Sequence, residues 1–127
     1  MTNTEKNELY KELDLALIHI GINFENDKQA SQAADLFCKM LNLEKKPVPG
    51  SSYFAGSCVE MMNNNKRGSK GHIAFATNDL KKTEELMEAN GFEIDRESYF
   101  KLPNGRKILV YLREEVFGFA IHFTERF

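Results

Sequence analysis

The fold is decided by two similar stretches, Ile18-His19-Ile20-Gly21-Ile22 and, 53 residues further along, Gly71-His72-Ile73-Ala74-Phe75. In both, large apolar residues alternate with a histidine or a small residue, which is the pattern of a β-strand with two different faces. Each stretch is followed by a polar helix start, an amphipathic helix and several short strand patterns. The sequence therefore predicts one supersecondary unit, β-α-β-β-β, that occurs twice.

Both predicted helices carry start signals and apolar faces. Asn26 or Asp27 can cap the first helix, and Asn78 or Asp79 can cap the second. Gly91 is placed to end the second helix. The faces expected to point inward carry Ala30, Ala34, Phe37 and Leu41 in the first helix and Leu80, Thr83, Leu86 and Met87 in the second.

Short strands are expected after each helix. Pro103-Asn104-Gly105 predicts a hairpin, because Asn-Gly readily takes the positive φ angles of a tight turn. The expected strands span residues 43–48, 51–55 and 57–62 in the first repeat, and 92–96, 99–102, 107–113 and 118–124 in the second.

One such repeat would leave a wide apolar sheet face exposed, so the two repeats are expected to pair. The predicted fold class is α+β, with two βαβββ modules forming a curved, partly open mixed sheet around a metal-binding cup and helices on the outside. Residues 1–14 are expected to form a helical extension, and residues 15–127 a single domain. Within that domain, module 1 spans about 16–63, a polar linker 64–70 and module 2 about 71–126.

Composition narrows the function classes. The chain has 127 residues, of which 42% are hydrophobic, and a net charge of −2. This near-balance gives no basic field for nucleic acid, and the apolar stretches are too short to span a membrane. The charged, polar start excludes a secretory signal peptide, and two cysteines without a ligand motif are expected to be free. We therefore expect a cytoplasmic protein.

All three histidines lie in predicted strands, where alternate side chains share a face. In the first strand, His19 opposes the apolar face of Ile18 and Ile20, which is expected to pack on the helices. The same phase argument, applied to each strand, places four polar side chains on the face opposite the core. They occupy matching repeat positions, His19 with His72 in the opening strands and Glu60 with His122 in the closing strands.

Four converging groups of this kind favour a metal. Imidazole nitrogen and carboxylate oxygen suit zinc, nickel, cobalt, manganese or ferrous iron. A single strand histidine would more simply be a hydrogen-bonded core residue, but three in phase with a glutamate in the fourth position indicate ligands. Cys58 shares the face of Glu60 and is more simply a small lining residue. We predict one divalent ion bound by His19, Glu60, His72 and His122.

These residues carry a resemblance to the vicinal oxygen chelate superfamily, over about residues 16 to 126. It rests on Ile18-His19-Ile20-Gly21-Ile22, Val59-Glu60-Met61, Gly71-His72-Ile73-Ala74 and Gly118-Phe119-Ala120-Ile121-His122. The nearest likeness is to the small module appended to some bacterial 2-keto-3-deoxy-6-phosphogluconate aldolases, which would here stand alone.

The resemblance implies that the four residues are the metal ligands. In glyoxalase I-like members the last ligand is usually glutamate, which can leave the metal and act as a base. This chain has His122 in that position, so such a base would be Glu60.

Several functions are compatible with this site. The first is a lyase or isomerase whose metal chelates neighbouring oxygens of a small 2-oxo or sugar-acid-type substrate while Glu60 moves a proton. The second is a non-catalytic, metal-dependent binding or accessory module, and the third an extradiol-type dioxygenase using His19, His72 and Glu60 as a facial triad. A drug-sequestering protein is a further possibility. That function does not need a metal, so the four metal-ligand positions count against it. Substrate contacts are expected from Asn23, Tyr111 and Arg113, and a homodimer from the exposed sheet edges.

Overall fold

A computed structural model describes residues 1–64 and 66–126. Within them, three helices and eight strands follow one another along the chain. The first elements are α1 (Asn3–Leu13), β1 (Ala16–Asn23), α2 (Asp27–Leu41), β2 (Lys45–Val48), β3 (Ser52–Ala55) and β4 (Val59–Met62). The second group is β5 (Gly71–Thr77), α3 (Leu80–Ala89), β6 (Ile94–Lys101), β7 (Lys107–Leu112) and β8 (Phe119–Glu125).

The strands form a mixed sheet in the order β2-β3-β4-β1-β5-β8-β7-β6. Strand β1 runs parallel to β4, whereas β3 runs antiparallel to both β2 and β4, and β7 to both β6 and β8. The element order β1-α2-β2-β3-β4 recurs as β5-α3-β6-β7-β8. The predicted α+β class with two βαβββ modules is therefore confirmed.

Contacts between Cα atoms divide the chain into two compact units, which are described separately. The first-module unit comprises Ile18–Ile73 and Val116–Ala120. The second-module unit comprises Met1–Leu17, Ala74–Glu115 and Ile121–Phe127. Each unit takes a short piece of chain from the opposite end of the sequence.

In the first-module unit, helix α2 packs on strands β3 and β4. Asn26 caps this helix by accepting a hydrogen bond from the Gln29 backbone N–H at 2.9 Å. The fully buried side chains of this core are Ala30, Ala34, Ala55 and Met61.

The apolar face of β1 differs from the expectation. Ile18 and Ile20 were expected to pack on the helices, but each side chain is 37% exposed. The helix of this unit lies over β3 and β4 instead, so it does not cover this part of β1. The expected burial of Ile18 and Ile20 is therefore wrong.

In the second-module unit, helix α1 packs on α3. Asp79 caps α3 through the Lys82 backbone N–H at 2.9 Å. Arg126 fastens the end of α1, because its guanidinium donates to the carbonyls of Leu13 and Asp14 at 3.3 and 2.6 Å. Leu13, Leu86 and Val110 are fully buried.

The hairpin between β6 and β7 has the predicted turn but a longer first strand. The Gly105 N–H donates to the Leu102 carbonyl at 2.8 Å, and Gly105 has a φ of +84°. One irregular strand, Ile94–Lys101, replaces the two strands expected at 92–96 and 99–102. Its pairing with β7 shifts register after Asp95, where the Ser98 hydroxyl accepts the Tyr111 N–H at 2.9 Å.

None of the helices in residues 1–64 and 66–126 combines the length and the hydropathy that a membrane crossing requires.

Candidate metal centre

Three of the four predicted ligands meet in the first-module unit. His19 lies in β1, Glu60 in β4 and His72 at the start of β5. The Nε2 atoms of His19 and His72 are 3.0 Å apart. Oε1 of Glu60 lies 3.4 Å from His19 Nε2 and 3.2 Å from His72 Nε2. The two imidazoles and the carboxylate thus converge on one point.

The spacing of these three atoms fits a bound divalent ion. An ion about 2.1 Å from each donor separates neighbouring donors by about 3.0 Å at right angles and about 3.4 Å in a tetrahedron. The observed edges of 3.0, 3.2 and 3.4 Å span this range. The side chains are 15%, 12% and 6% exposed for His19, Glu60 and His72, so little water competes with an ion. These residues could hold a divalent metal.

Glu60 is oriented by a hydroxyl on its outer oxygen. Ser52, itself buried, donates to Glu60 Oε2 at 2.6 Å, while Oε1 faces the two histidines. Burial acts to raise the pKa of Glu60, but hydrogen bonds from His72 and Ser52 and the charges of both histidines outweigh it. The net effect lowers the pKa, so the side chain is a carboxylate at neutral pH.

His19 is kept neutral by its surroundings. Burial lowers its pKa, the neighbouring Glu60 charge opposes that shift, and the nearby His72 charge lowers the pKa further. The ring also packs edge-on against Phe54, with centroids 5.3 Å apart. A neutral imidazole is the form that binds metals, so His19 is ready to act as a ligand near neutral pH.

His72 is positioned by the absence of a side chain at Gly21. A Cβ atom built on Gly21 would lie 2.0 Å from His72 Cε1 and 2.3 Å from its Nδ1. Gly21 is two residues from His19 on the same face of β1, so the His72 ring crosses the strand beside the His19 ring. The two rings are nearly perpendicular, with centroids 5.2 Å apart.

His122, the fourth predicted ligand, lies in β8 within the second-module unit. It is 4% exposed, and its Nδ1 atom is 3.2 Å from the Thr124 hydroxyl. Its ring lies 5.0 Å from the Tyr111 ring, which is opposite it in the β7–β8 register. Like the other histidines, it offers one ring nitrogen as a ligand.

The three residues predicted to contact substrate have different surroundings. Tyr111 lies opposite His122 in the β7–β8 register. Asn23 is in the first-module unit, where its amide nitrogen donates to the Gly68 carbonyl at 2.7 Å. Its Oδ1 atom is buried and has no hydrogen-bond partner among the described residues. Arg113 is 59% exposed, and its Nε lies 3.3 Å from Glu93.

Sequence reasoning missed Ser52, Phe54 and Gly21 as parts of the centre. Phe54 is paired with Glu60 across the β3–β4 ladder, and Ser52 is two residues away, so both share the face of Glu60. The alternation within β3 could have linked Ser52 to Phe54. Their partner on β4 depends on the register of an irregular turn, which the sequence does not specify.

No protein-family model matches the sequence, and no curated protein matches it significantly. Solved structures do match. A hypothetical protein of Bacillus halodurans C-125 has 17% identity and a TM-score of 0.58, with 89% of this chain and 95% of that chain covered.

Two methylmalonyl-CoA epimerases are also similar. The Streptomyces coelicolor enzyme, solved as a variant in complex with 2-nitronate-propionyl-CoA, has 14% identity and a TM-score of 0.57, covering 87% of this chain and 97% of that chain. The Mycobacterium tuberculosis enzyme has 15% identity and a TM-score of 0.53, covering 87% of each chain. At such identities the likeness shows the fold alone: this chain has the vicinal oxygen chelate fold.

Proposed function

We propose that this protein binds one divalent metal ion through His19, Glu60, His72 and His122. We further propose that it is a metal-dependent isomerase or lyase for a small 2-oxo or sugar-acid-type molecule with two neighbouring oxygens. The observation that carries the proposal is the triangle of donor atoms with edges of 3.0, 3.2 and 3.4 Å. Zinc, nickel, cobalt, manganese and ferrous iron all suit such nitrogen and oxygen donors.

His122 is assigned as the fourth ligand on two grounds. It holds the position in the second module that Glu60 holds in the first, and its side chain is buried in β8. The contact of Nδ1 with Thr124 fixes the ring orientation and makes Nε2 the nitrogen that we assign to the metal. This proposal treats residues 15–127 as one functional domain and residues 1–14 as an extension.

In this mechanism Glu60 moves the proton. A divalent ion held by these residues would supply Lewis-acid stabilisation of negative charge on the substrate oxygens. Glu60 is ionised at neutral pH because its pKa is lowered, so it can accept a proton once its Oε1 leaves the metal. The Ser52 hydroxyl holds Oε2 of Glu60 and leaves Oε1 directed toward the reacting centre.

Asn23 is our main candidate for substrate recognition. Its buried Oδ1 atom is an acceptor without a partner among the described residues, so it favours a ligand hydroxyl or N–H group. Tyr111 and Arg113 are further proposed contacts. Arg113 would have to exchange its exposed ion pair with Glu93 for a substrate carboxylate.

The structural likeness supports proton-transfer chemistry as a class. The epimerases that share the fold were solved with methylmalonyl-CoA or a nitronate analogue bound. An acyl thioester with an acidic α-hydrogen is therefore a second substrate class worth testing beside 2-oxo acids.

The test is exchange of a substrate α-hydrogen in deuterated water, followed by proton NMR. Metal-loaded wild type is compared with Glu60→Gln and with metal-free protein, on a panel of 2-oxo acids, sugar acids, acyl thioesters and a methylglyoxal–thiol adduct. We expect exchange that requires both metal and Glu60. Ligand binding without exchange across the panel would instead support a non-catalytic binding module, related to the aldolase-appended domain.

A dioxygenase is the alternative enzyme. The observation in its favour is that His19, His72 and Glu60 form a two-histidine, one-carboxylate set within the first-module unit. If His122 is the fourth ligand, as we propose, it would crowd the open metal position that a dioxygenase needs. This counts against the dioxygenase. Oxygen consumption by the ferrous-loaded protein with catechols would replace the isomerase proposal by this one.

We also propose a homodimer in the cytoplasm. Ile18 and Ile20, each 37% exposed, give β1 an apolar surface suited to a second copy. The edge strand β2 is a poorer partner because Lys45, Lys46 and Pro47 discourage edge pairing. The free cysteines are typical of a reducing compartment. Light scattering should give a dimer mass for wild type and a monomer for Ile20→Lys.

A further inference from the structure

The tip of the last hairpin presents an aromatic ring to solvent. Val116 and Phe119 exchange two backbone hydrogen bonds, of 2.8 and 3.0 Å, around the two-residue loop Phe117-Gly118. Phe117 is 92% exposed and its neighbour Val116 is 48% exposed. Both loop residues have positive φ, +45° for Phe117 and +94° for Gly118.

A phenylalanine at position 117 is unfavourable because its backbone has a positive φ. Tight turns with two positive φ angles favour Asn or Gly, and a bulky residue there is strained by about 1–3 kcal/mol. Burial of the ring does not offset this strain, since nearly all of Phe117 faces water. The local structure therefore gives no reason for an aromatic residue here, whereas a stacking partner would.

The basic residue Lys70 packs against Gly118, the loop residue next to Phe117. Its backbone N–H donates to the Gly118 carbonyl at 2.7 Å. Its side chain runs across Gly118, so closely that a Cβ there would lie 2.9 Å from Lys70 Cγ and Cδ. Lys66 and Arg67, both exposed, add positive charge on the same segment.

The backbone of this segment is held in place at Gly68 and Lys70. The Asn23 side chain donates to the Gly68 carbonyl at 2.7 Å, and the Asn23 backbone N–H donates to the Lys70 carbonyl at 2.9 Å. A Cβ on Gly68 would lie 1.9 Å from the Gly71 carbonyl oxygen, so the chain packs tightly at this point. Gly68 and Lys70 are thus hydrogen-bonded in place next to the hairpin.

The arrangement lies close to the metal centre along the chain. Lys70 precedes His72 by two residues, and two extended residues span about 7 Å. A ligand held at His72 could therefore reach Lys70, which packs on the hairpin loop, with a second group.

We propose that Phe117 and Lys70 bind a phosphorylated aromatic group of the nucleotide class, carried by the ligand of the metal centre. The base stacks on the Phe117 ring and the phosphate pairs with the Lys70 ammonium. The inference extends the proposed function, but nucleotide binding itself needs no metal. A membrane surface fits less well, because one ring gives little insertion and Glu114 and Glu115, next in the chain, repel anionic lipid.

The experiment is a titration of metal-free protein, kept in chelator, with ADP, adenosine and ribose 5-phosphate, followed by calorimetry and by the amide signals of Gly118 and Phe119. We expect ADP to bind more tightly than either fragment. Phe117→Asn should weaken ADP binding about tenfold through lost stacking. Lys70→Gln should weaken it about threefold and reduce its dependence on salt.

Two controls separate binding from folding. Phe117→Asn removes the strain at positive φ, so its melting temperature should not fall. Phe100→Ala removes another exposed ring, 59% exposed in β6, and should leave ADP binding unchanged. Equal affinity for ADP and ribose 5-phosphate, no ADP binding, or Phe117-dependent binding to anionic vesicles in place of ADP would each overturn the inference. Because no metal is present, these outcomes leave the proposed metal function to its own test.

Discussion

The imidazole of His72 lies across the backbone of Gly21, in space that the β-carbon of any other residue would occupy. The nearest approach, 2.0 Å from such a carbon to Cε1, is far inside van der Waals contact. His72 is also 5% exposed, so its ring has little room to move aside. The position of the His72 ring in β5 therefore requires a glycine at position 21 in β1, although the two residues are far apart in the sequence.

Gly21→Ala should displace the His72 ring. We expect a loss of about 1–3 kcal/mol in the free energy of unfolding, as for other overpacked sites, and weaker metal binding. The contact is isolated by a double-mutant cycle with His72→Ala, measured by denaturant unfolding of metal-free protein. If Gly21→Ala costs the same with and without the His72 ring, the clash is not its cause.

Ser52→Ala should loosen Glu60 without removing it. The hydroxyl donates to Glu60 Oε2 at 2.6 Å, and groups that orient a ligand in this way typically contribute about ten- to hundredfold to metal affinity. Affinity is measured by competition with a chromogenic chelator. Ser51→Ala, the same change one position earlier, is the matched control and should bind metal like wild type. Equal affinities for Ser52→Ala and Ser51→Ala would remove Ser52 from the centre.

The stability of the metal-free protein should depend on pH through His19. Burial lowers the pKa of His19 below its ordinary 6.5, so the unfolded chain takes up this proton at a higher pH than the folded chain. The contribution is complete above pH 6.5 and is lost as the pH falls through the folded-state pKa. Melting temperatures between about pH 7 and about pH 5 should therefore fall less in His19→Gln than in wild type. Parallel curves would show that His19 titrates normally.

Arg126→Ala should release helix α1 from the second-module unit. Its guanidinium donates to the Asp14 and Leu13 carbonyls and, at 2.8 Å, to Asn78 Oδ1. Losing such charge-assisted bonds costs about 1.5–3 kcal/mol, and the amides of α1 should exchange faster with deuterium. Arg113→Ala, which removes only an exposed pair with Glu93, should leave that exchange unchanged. Unaltered exchange in Arg126→Ala would contradict this role.

The sequence was sufficient for the repeat and for the phase of the strands. The alternation around His19 and His72 predicted β1 and β5, and the capping residues Asn26 and Asp79 marked the helix starts. The alternation of side chains along a strand also predicted that Glu60 lies on the same face as the two histidines, because every second residue of a strand points to the same side.

The sequence could not predict how neighbouring strands are aligned, or which strands each helix covers. The Ser52–Glu60 bond depends on how β3 and β4 are aligned, and the Gly21–His72 contact on how closely two chain segments approach. Likewise, periodicity marked Ile18 and Ile20 as apolar but could not say that α2 lies over other strands. These are properties of packing between elements rather than of any one element.

The central claim is tested most directly by the metal content of the purified protein. Protein is reconstituted separately with zinc, nickel, cobalt, manganese and ferrous iron, desalted and analysed by mass spectrometry. We predict one tightly bound ion per chain for wild type and for Cys58→Ser, and none for the double variant His19→Ala/His72→Ala. A wild type that retains none of these metals, or a double variant that retains a full equivalent, would contradict the account.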